Sequence, residues 1–136
     1  MTTLVKIGIA GLGTVGSGVL KIIKEHGDLL EARSGARLTV TAVSGRDRTK
    51  DRGVSLDGLT WYDDATAMAE DPDVDIVLEL IGGSDGVARE LCEKTLRLGK
   101  SVVTANKALL AIHGNELAEI AETHGAQLAY EAAVAG

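Results

Sequence analysis

The residues with the clearest chemical potential form a glycine-rich hexapeptide near the start of the chain. Its six positions, spaced as G-x-G-x-x-G, are Gly11, Leu12, Gly13, Thr14, Val15 and Gly16. An apolar run before it predicts a buried strand at 4–10, and an apolar stripe after it predicts a helix. In that setting the glycines permit a sharp turn, leave room for a diphosphate and let helix and strand approach closely. The motif predicts a dinucleotide loop with phosphates at the helix N-terminus, the alternative being a turn that binds nothing.

A basic loop follows the predicted second strand at 38–43, with Ser44 at its start and Arg46 shortly after. The strand tip carries no Asp or Glu placed to bind an adenosine ribose diol, so the pattern does not support a strict NAD preference. Arg46, with Arg48 or Lys50, could instead neutralise a 2′-phosphate, because guanidinium binds phosphate in a bidentate fork. We predict coenzyme contacts at Ser44 and Arg46, and NADP before NAD. A solvated loop with internal ion pairs is the alternative.

Thr104, Asn106 and Lys107 form a second polar group at the end of a predicted strand, residues 101–104. Asn106 is suited to cap the next helix, and Lys107 then falls in its first turn, where the helix dipole opposes a cation. That conflict indicates a role for Lys107 in the cleft, holding a carbonyl oxygen or relaying its proton during hydride transfer. We predict Lys107 as the catalytic residue and all three as coenzyme contacts. The alternative for Lys107 is a solvated lysine.

Glu79 interrupts an apolar strand predicted at 76–81, and a buried carboxylate without partners carries a heavy desolvation penalty. Either it accepts N–H groups of the Gly82-Gly83 turn, or it faces the nicotinamide end of the cleft. Both alternatives stay open at this point. Gly82 itself is predicted to contact the coenzyme.

Strands and helices alternate along the chain, which predicts an α/β fold with a doubly wound, mainly parallel Rossmann-type sheet and helices on both faces. The first helix is predicted to start near Thr14, to stop at Gly27 and to turn inward the stripe Val15, Val19, Ile22, Ile23 and His26. The remaining predictions are strands at 60–62 and 127–130 and helices at 64–70, 87–98 and 116–124.

The composition of the chain limits the classes of partner and the compartment that we expect for it. The 136 residues fit one domain, 1–136, and carry 14 Lys plus Arg against 20 Asp plus Glu, a net charge of −6. An acidic total argues against general nucleic-acid binding. No signal-peptide or spanning pattern is present, so no membrane partner is expected. The single Cys92 cannot form an intramolecular disulfide, which fits a reducing compartment, and we expect the cytoplasm.

Four segments carry a family resemblance: GLGTVGSGV at 11–19, ELIGG at 79–83, VVTANKALLA at 102–111 and YEAAVAG at 130–136. In this order, over essentially the whole chain, they resemble the N-terminal domain of homoserine dehydrogenase. The first segment is common to many dehydrogenases, whereas TANK and YEAAVAG are more specific. The resemblance implies reversible NAD(P)-dependent conversion of L-homoserine to L-aspartate 4-semialdehyde, in the branch leading to threonine, methionine and isoleucine.

The resemblance also implies roles for single residues. Lys107 is similar to the family lysine that contacts cofactor and substrate, and Glu131, Val134 and Gly136 resemble the family's monovalent-cation site. Backbone oxygens in such a site suit a hard ion such as Na⁺. In this family a substrate-binding and dimerising region follows the nucleotide-binding domain and is absent from residues 1–136. We expect these residues alone to bind coenzyme without appreciable turnover, and the parent protein to be a homo-oligomer acting on a small molecule.

Two other functions stay open at this stage, because nucleotide-binding sheets serve many activities. The first is another amino-acid dehydrogenase, which residues beyond 136 would distinguish. The second is a non-catalytic dinucleotide-binding or redox-sensing module, which a stop codon after Gly136 would favour.

Overall fold

The computed structural model describes residues 3–130, in which six strands alternate with helices. The strands are β1 (Thr3–Ala10), β2 (Ala36–Ser44), β3 (Thr60–Tyr62), β4 (Ile76–Glu79), β5 (Ser101–Thr104) and β6 (Leu128–Tyr130). The helices are α1 (Thr14–Glu25), α2 (Gly27–Ser34), α3 (Val87–Arg97) and α4 (Lys107–Thr123), with a 3₁₀ helix at Ala65–Glu70. The strands form one sheet in the order β3-β2-β1-β4-β5-β6, and all five pairings are parallel. The predicted α/β fold is confirmed.

All six strands end in one row across the sheet. Register pairs join the strand ends in the series Tyr62, Ser44, Ala10, Glu79, Thr104 and Tyr130. The chain moves outward from β1 through β2 to β3, then returns to β4 on the other side of β1. In open α/β sheets, ligands bind beyond the carboxyl ends of the strands at such a reversal. The loops after β1, β2, β4 and β5 therefore meet at one edge.

The two faces of the sheet bury separate apolar clusters, because successive side chains of a strand point to opposite sides. Ile9 and Val43 pack in one cluster with Leu20 of α1. Their neighbours Ala10 and Ala42 belong to a second cluster, which includes Leu91 of α3 and the 3₁₀ helix. A third cluster joins α3, β5 and α4. The helices thus cover both faces, as the sequence predicts.

The predicted inward stripe of α1 is correct only in part: Ile23 is buried and Val19 packs against the core, whereas Val15, Ile22 and His26 are exposed. Val15 and Ile22 are 63% and 52% exposed, and the residues of α1 that are buried are Gly16, Leu20 and Ile23. A Cβ built on Gly16 would run into the carbonyl oxygen of Gly11, so Gly16 itself faces the sheet. Residues four and seven positions later share that face. Close backbone approach, and not the apolar pattern, sets the rotation of the helix.

The first helix stops where predicted, since α1 ends at Glu25 and His26 is its C-cap, directly before Gly27. A second helix, which the sequence did not predict, begins at Gly27: α2 closes on the left-handed Gly35 (φ 76°). His26 is exposed between the two helices. The predicted helix at 116–124 is the second half of α4, which starts at Lys107 and includes Gly114 without a break. Within residues 3–130, no helix combines the length and the apolar run needed to cross a membrane.

Gly16→Ala is expected to lower the free energy of unfolding by about 1–3 kcal/mol, because the new methyl group meets backbone that cannot rotate away. Gly18→Ala is the matched control in the same helix. Nothing lies within 4 Å of a Cβ at Gly18, so alanine there should stabilise α1 by up to about 1 kcal/mol. Denaturant unfolding of both variants measures the difference. Equal effects would contradict the close-approach argument.

Candidate functional site

The turn between β1 and α1 can be built only around glycine at its first position. Gly11 has φ 101°, a left-handed conformation that side chains rarely adopt. A Cβ on Gly11 would lie 2.7 Å from the backbone carbonyl carbon and oxygen of Leu80, and the Gly11 N–H donates to the carbonyl of Ser44 at 2.9 Å. The turn is therefore held against the ends of both neighbouring strands.

The start of α1 is open. Gly13 is its N-cap and provides no side-chain hydrogen bond, the first turn contains no acidic residue, and nothing lies within 4 Å of a Cβ built on Gly13. The first N–H groups of a helix have no partner within the helix. Thr14 and Val15 are exposed there, whereas Gly16 is buried and serves the contact with β1. Free amides, open space and the positive end of the helix dipole fit a diphosphate.

A cleft of about 640 Å³ opens at this point. Its walls come from the glycine turn, the loop after β2, the segment after β3 and the segment between β4 and α3. The lining residues are Gly11, Leu12, Gly13, Ser44, Gly45, Arg46, Asp47, Lys50, Arg52, Asp63, Asp64, Ala65, Leu80, Ile81 and Val87. Five predicted coenzyme contacts thus share one cleft: Gly11, Leu12, Gly13, Ser44 and Arg46.

Three carboxylates line the cleft, and each accepts hydrogen bonds from a neighbouring residue. The pairs are Asp47 with Thr49, Asp63 with the indole N–H of Trp61, and Asp64 with Thr66. The side-chain and backbone hydrogen bonds from Thr49 and Thr66 hold the pKa values of Asp47 and Asp64 below the usual range. The acidic groups are thus engaged within their own turns.

Two lining cations lack such partners. Arg46 and Lys50 are exposed on the basic loop, defined as residues 45–53, and their side chains make no hydrogen bond or ion pair with any residue in 3–130. The loop position of Arg46, two residues beyond the end of β2, is the one predicted from the sequence. The N–H donors of both side chains are therefore available to an additional phosphate. The charge of Lys50 is close enough to Asp47 to help lower the pKa of that carboxyl.

Arg52 also lines the cleft, and the sequence predicted no role for it. Its side chain is half-buried and donates to three backbone carbonyls, those of Leu12, Asp47 and Lys50. Its guanidinium carbon lies 5.6 Å from the centroid of the Trp61 ring. No local pattern could have shown the whole set, because it includes the Leu12 carbonyl of the glycine turn and an aromatic ring on β3.

Glu79 is fully buried, and its carboxylate holds the turn after β4. One oxygen accepts the N–H groups of Ile81 (2.8 Å) and Gly82 (3.2 Å), and the other accepts the hydroxyl of Thr104 (2.7 Å). The structure therefore supports the first of the two alternatives for Glu79, binding to backbone amides. Gly82 (φ 91°) is absent from the cleft lining, and its predicted coenzyme contact stays a prediction.

The same network continues into the segment after β5. Thr104 accepts the N–H of Asn106 (3.0 Å), and the Asn106 carbonyl oxygen accepts the N–H of Leu109 (3.0 Å), which confirms the predicted helix cap. The Asn106 amide nitrogen donates to the carbonyl of Gly83. Both side chains are buried and engaged in these bonds. They join the loops after β4 and β5, and their contact with a coenzyme stays a prediction.

Lys107 begins α4 and is exposed, with no hydrogen bond or ion pair to residues 3–130. It does not line the cleft described above. Because β5 lies two strands from β1, Lys107 belongs to a part of the edge about 10 Å from the glycine turn. The structure therefore separates Lys107 from the phosphate end while keeping both on one edge. Glu131, Val134 and Gly136, the predicted cation site, lie outside the described residues.

Comparison with known proteins agrees with this geometry. The family profile described as homoserine dehydrogenase, NAD binding domain, matches residues 11–131. Homoserine dehydrogenase of Corynebacterium glutamicum is 48% identical over 133 residues, covering 97% of this chain and 29% of that protein. The homoserine dehydrogenase of Bacillus subtilis is 42% identical over 132 residues, which cover 97% of this chain and 30% of that protein.

Solved structures give the same result. The homoserine dehydrogenase of Thiobacillus denitrificans has a TM-score of 0.86 at 36% identity, covering 98% of this chain and 31% of that one. A hyperthermophilic archaeal homoserine dehydrogenase in complex with NADPH has a TM-score of 0.76 at 24% identity. The match covers 96% of this chain and 44% of that one, and at this identity it shows a similar fold.

Thr104→Val is expected to lower the free energy of unfolding by about 1–3 kcal/mol, because it leaves a buried Glu79 oxygen and the Asn106 N–H without their shared hydroxyl. Thr104→Ser keeps the hydroxyl and should cost less. Denaturant unfolding of the two variants gives the comparison. A loss as large for serine as for valine would show that the methyl group, and not the network, matters.

Proposed function

Because the chain belongs to the homoserine dehydrogenase family through its NAD-binding domain, we propose that it forms the coenzyme-binding part of an NAD(P)-dependent homoserine dehydrogenase. It spans about 30% of the length of the curated relatives it matches. The proposed reaction is reversible hydride transfer between NAD(P)H and L-aspartate 4-semialdehyde, giving L-homoserine, within threonine, methionine and isoleucine biosynthesis. The observation that carries the proposal is the uncapped start of α1, which opens into the cleft at the reversal of strand order.

At the end of the cleft next to α1, backbone N–H groups are the proposed binding groups for the diphosphate. The first-turn amides of α1, at Thr14 and Val15, are positioned to donate to a diphosphate, and the absence of a side chain at Gly13 lets it approach. The open rim beyond Ser44 would then hold the adenosine, and Arg46 and Lys50 would bind its 2′-phosphate. Their free charges favour NADPH over NADH, because only NADPH carries the 2′-phosphate.

Farther along the carboxyl edge of the sheet, after β5, Lys107 provides a positive charge. When bound, the nicotinamide supplies or accepts the hydride. Asn106 caps α4 and is fastened to Gly83, so the backbone that carries Lys107 has a fixed position. The ammonium group has no partner within residues 3–130 and is available to hold the substrate oxygen or to relay its proton.

The remaining parts of the proposal concern the parent protein. We propose that residues 1–136 are its coenzyme-binding domain and that substrate binding and homo-oligomer formation depend on further sequence. A Na⁺ site at Glu131, Val134 and Gly136 is included on the resemblance alone. A reducing, cytoplasmic location is proposed from Cys92, a free thiol that is fully buried in α3. Burial, with the negative charge of Glu79 nearby, raises the pKa of that thiol, so it is not a nucleophile.

Arg46→Ala tests the coenzyme assignment. Loss of a phosphate-binding guanidinium is expected to weaken NADPH by about 10- to 100-fold and NADH by less than about twofold. Isothermal titration of both coenzymes measures the two affinities. Of the two residues offered as helpers of Arg46, Lys50 lines the cleft and Arg48 does not, although Arg48 is exposed on the same loop. Arg48→Ala is therefore the matched control. Equal losses for both coenzymes would refute the 2′-phosphate role, and a wild-type protein that binds neither would refute the proposed function.

Lys107→Met is expected to lower kcat of the full-length enzyme by about 10²- to 10⁴-fold, the range typical of a lost acid–base or charge-stabilising group. The coenzyme affinity should change far less, because the glycine turn lies elsewhere on the edge. Steady-state kinetics and coenzyme titration separate the two effects. Lys21→Met, at an exposed position of α1, is the control for removing a surface lysine. Unchanged turnover in Lys107→Met would remove this residue from the mechanism.

A further inference from the structure

Arg52 is half-buried, unlike Arg46 and Lys50 on the same basic loop, and each of its three guanidinium nitrogens donates one hydrogen bond. Its Nε donates to the Leu12 carbonyl at 3.0 Å, and its two terminal nitrogens donate to the carbonyls of Lys50 at 3.2 Å and Asp47 at 2.6 Å. Leu12 belongs to the glycine turn, whereas the other two carbonyls belong to the basic loop. One planar guanidinium therefore joins two loops that both line the cleft.

The guanidinium is also supported by an aromatic ring. Its carbon lies 5.6 Å from the Trp61 centroid, within the range of a cation–π contact. Trp61 is fixed by its pairing with Val43 in the sheet and by its indole N–H, which donates to Asp63 at 2.9 Å. A Cβ on Gly45 would lie 3.1 Å from the Trp61 ring and 3.4 Å from an Arg52 nitrogen, so the loop backbone passes close to this pair.

We propose that Arg52 is a positioning residue for coenzyme selection: stacked on Trp61, it fastens the basic loop to the glycine turn and so keeps Arg46 and Lys50 at the adenosine end of the cleft. This inference rests on the proposed coenzyme-binding function. Three N–H groups of Arg52 are directed at backbone carbonyls, so Arg52 acts on the coenzyme through the position of the basic loop. Because the loop is already ordered before the coenzyme binds, phosphate binding does not have to order it.

The effect should be selective, because the glycine turn has other supports. Gly11 donates to Ser44, and Gly16 packs on the Gly11 carbonyl, without help from Arg52. The turn within the basic loop is likewise maintained by the bonds from Thr49 to Asp47. Removing Arg52 should therefore let the basic loop move relative to the glycine turn. The diphosphate site and the turn held by Thr49 and Asp47 should stay in place.

Arg52→Met in the full-length protein is expected to weaken NADPH by about tenfold and NADH by less than about twofold, measured by isothermal titration. Adenosine 2′,5′-bisphosphate and ADP are the second pair of probes and should show the same contrast. Arg52→Lys should behave like Arg52→Met, because an ammonium cannot reach three carbonyls in one plane. Trp61→Leu should likewise weaken NADPH more than NADH, by a smaller factor than Arg52→Met.

The double variant Arg52→Met with Trp61→Leu should be no weaker toward NADPH than Arg52→Met alone, since the two side chains act as one unit. Arg48→Ala is the loop control and should leave the NADPH to NADH ratio unchanged. Hydrogen exchange gives an independent readout: Arg52→Met should increase exchange in residues 45–53 and leave β1 and α1 unaffected.

Four outcomes would overturn the inference. Full NADPH affinity in Arg52→Lys, with no effect of Trp61→Leu, would make Arg52 a direct charge contact. Equal loss of both coenzymes, with lowered unfolding stability, would give it only a structural role. Wild-type protein that binds neither coenzyme would refute the proposed function, and this inference with it, whereas normal wild-type binding with an unchanged ratio in Arg52→Met refutes the inference alone.

Discussion

The close approach of α1 to the carbonyl of Gly11 is the contact on which the rest of the site depends. Only glycine at position 16 permits it, since a Cβ there would meet backbone. The approach fixes the rotation of α1, so that Leu20 and Ile23 face the sheet. It also directs the uncapped first turn of the helix toward the cleft. One missing side chain thereby links the packing of a core to the availability of N–H groups for an anion.

A buried carboxylate organises the other half of the edge. Glu79 has no cationic partner in its immediate hydrogen-bond set, which consists of two backbone amides and the Thr104 hydroxyl. Such a group is stable inside a protein only when its oxygens are satisfied. The hydrogen bonds extend through Asn106 to the start of α4, so the loops after β4 and β5 form one unit. Lys107 extends from that unit, and its ammonium group makes no hydrogen bond or ion pair with residues 3–130.

The cleft divides its charged groups into those that shape it and those left free. Asp47, Asp63 and Asp64 are bonded within their own turns, and Arg52 is bonded to carbonyls of two loops. Arg46 and Lys50 have no such bonds within the described chain. The three carboxylates and three cations of the lining balance in formal charge, because hydrogen bonds to neutral groups remove no charge. What distinguishes Arg46 and Lys50 is that their N–H donors are not used within residues 3–130.

The sequence by itself determined what local spacing and chain order can encode: the glycine turn, the alternation of strands and helices, the parallel sheet, and the Asn106 cap. Each follows from near neighbours, from period-2 or period-3.6 patterns, or from the short connections between elements. The tertiary structure alone decided the rotation of α1, the partners of Glu79 and the role of Arg52. The Thr104 hydroxyl is 25 residues from Glu79 and the Leu12 carbonyl is 40 residues from Arg52, so no local pattern specifies these contacts. Gly16 is near Gly11 in the sequence, but which residues of α1 are buried depends on how the helix meets the sheet.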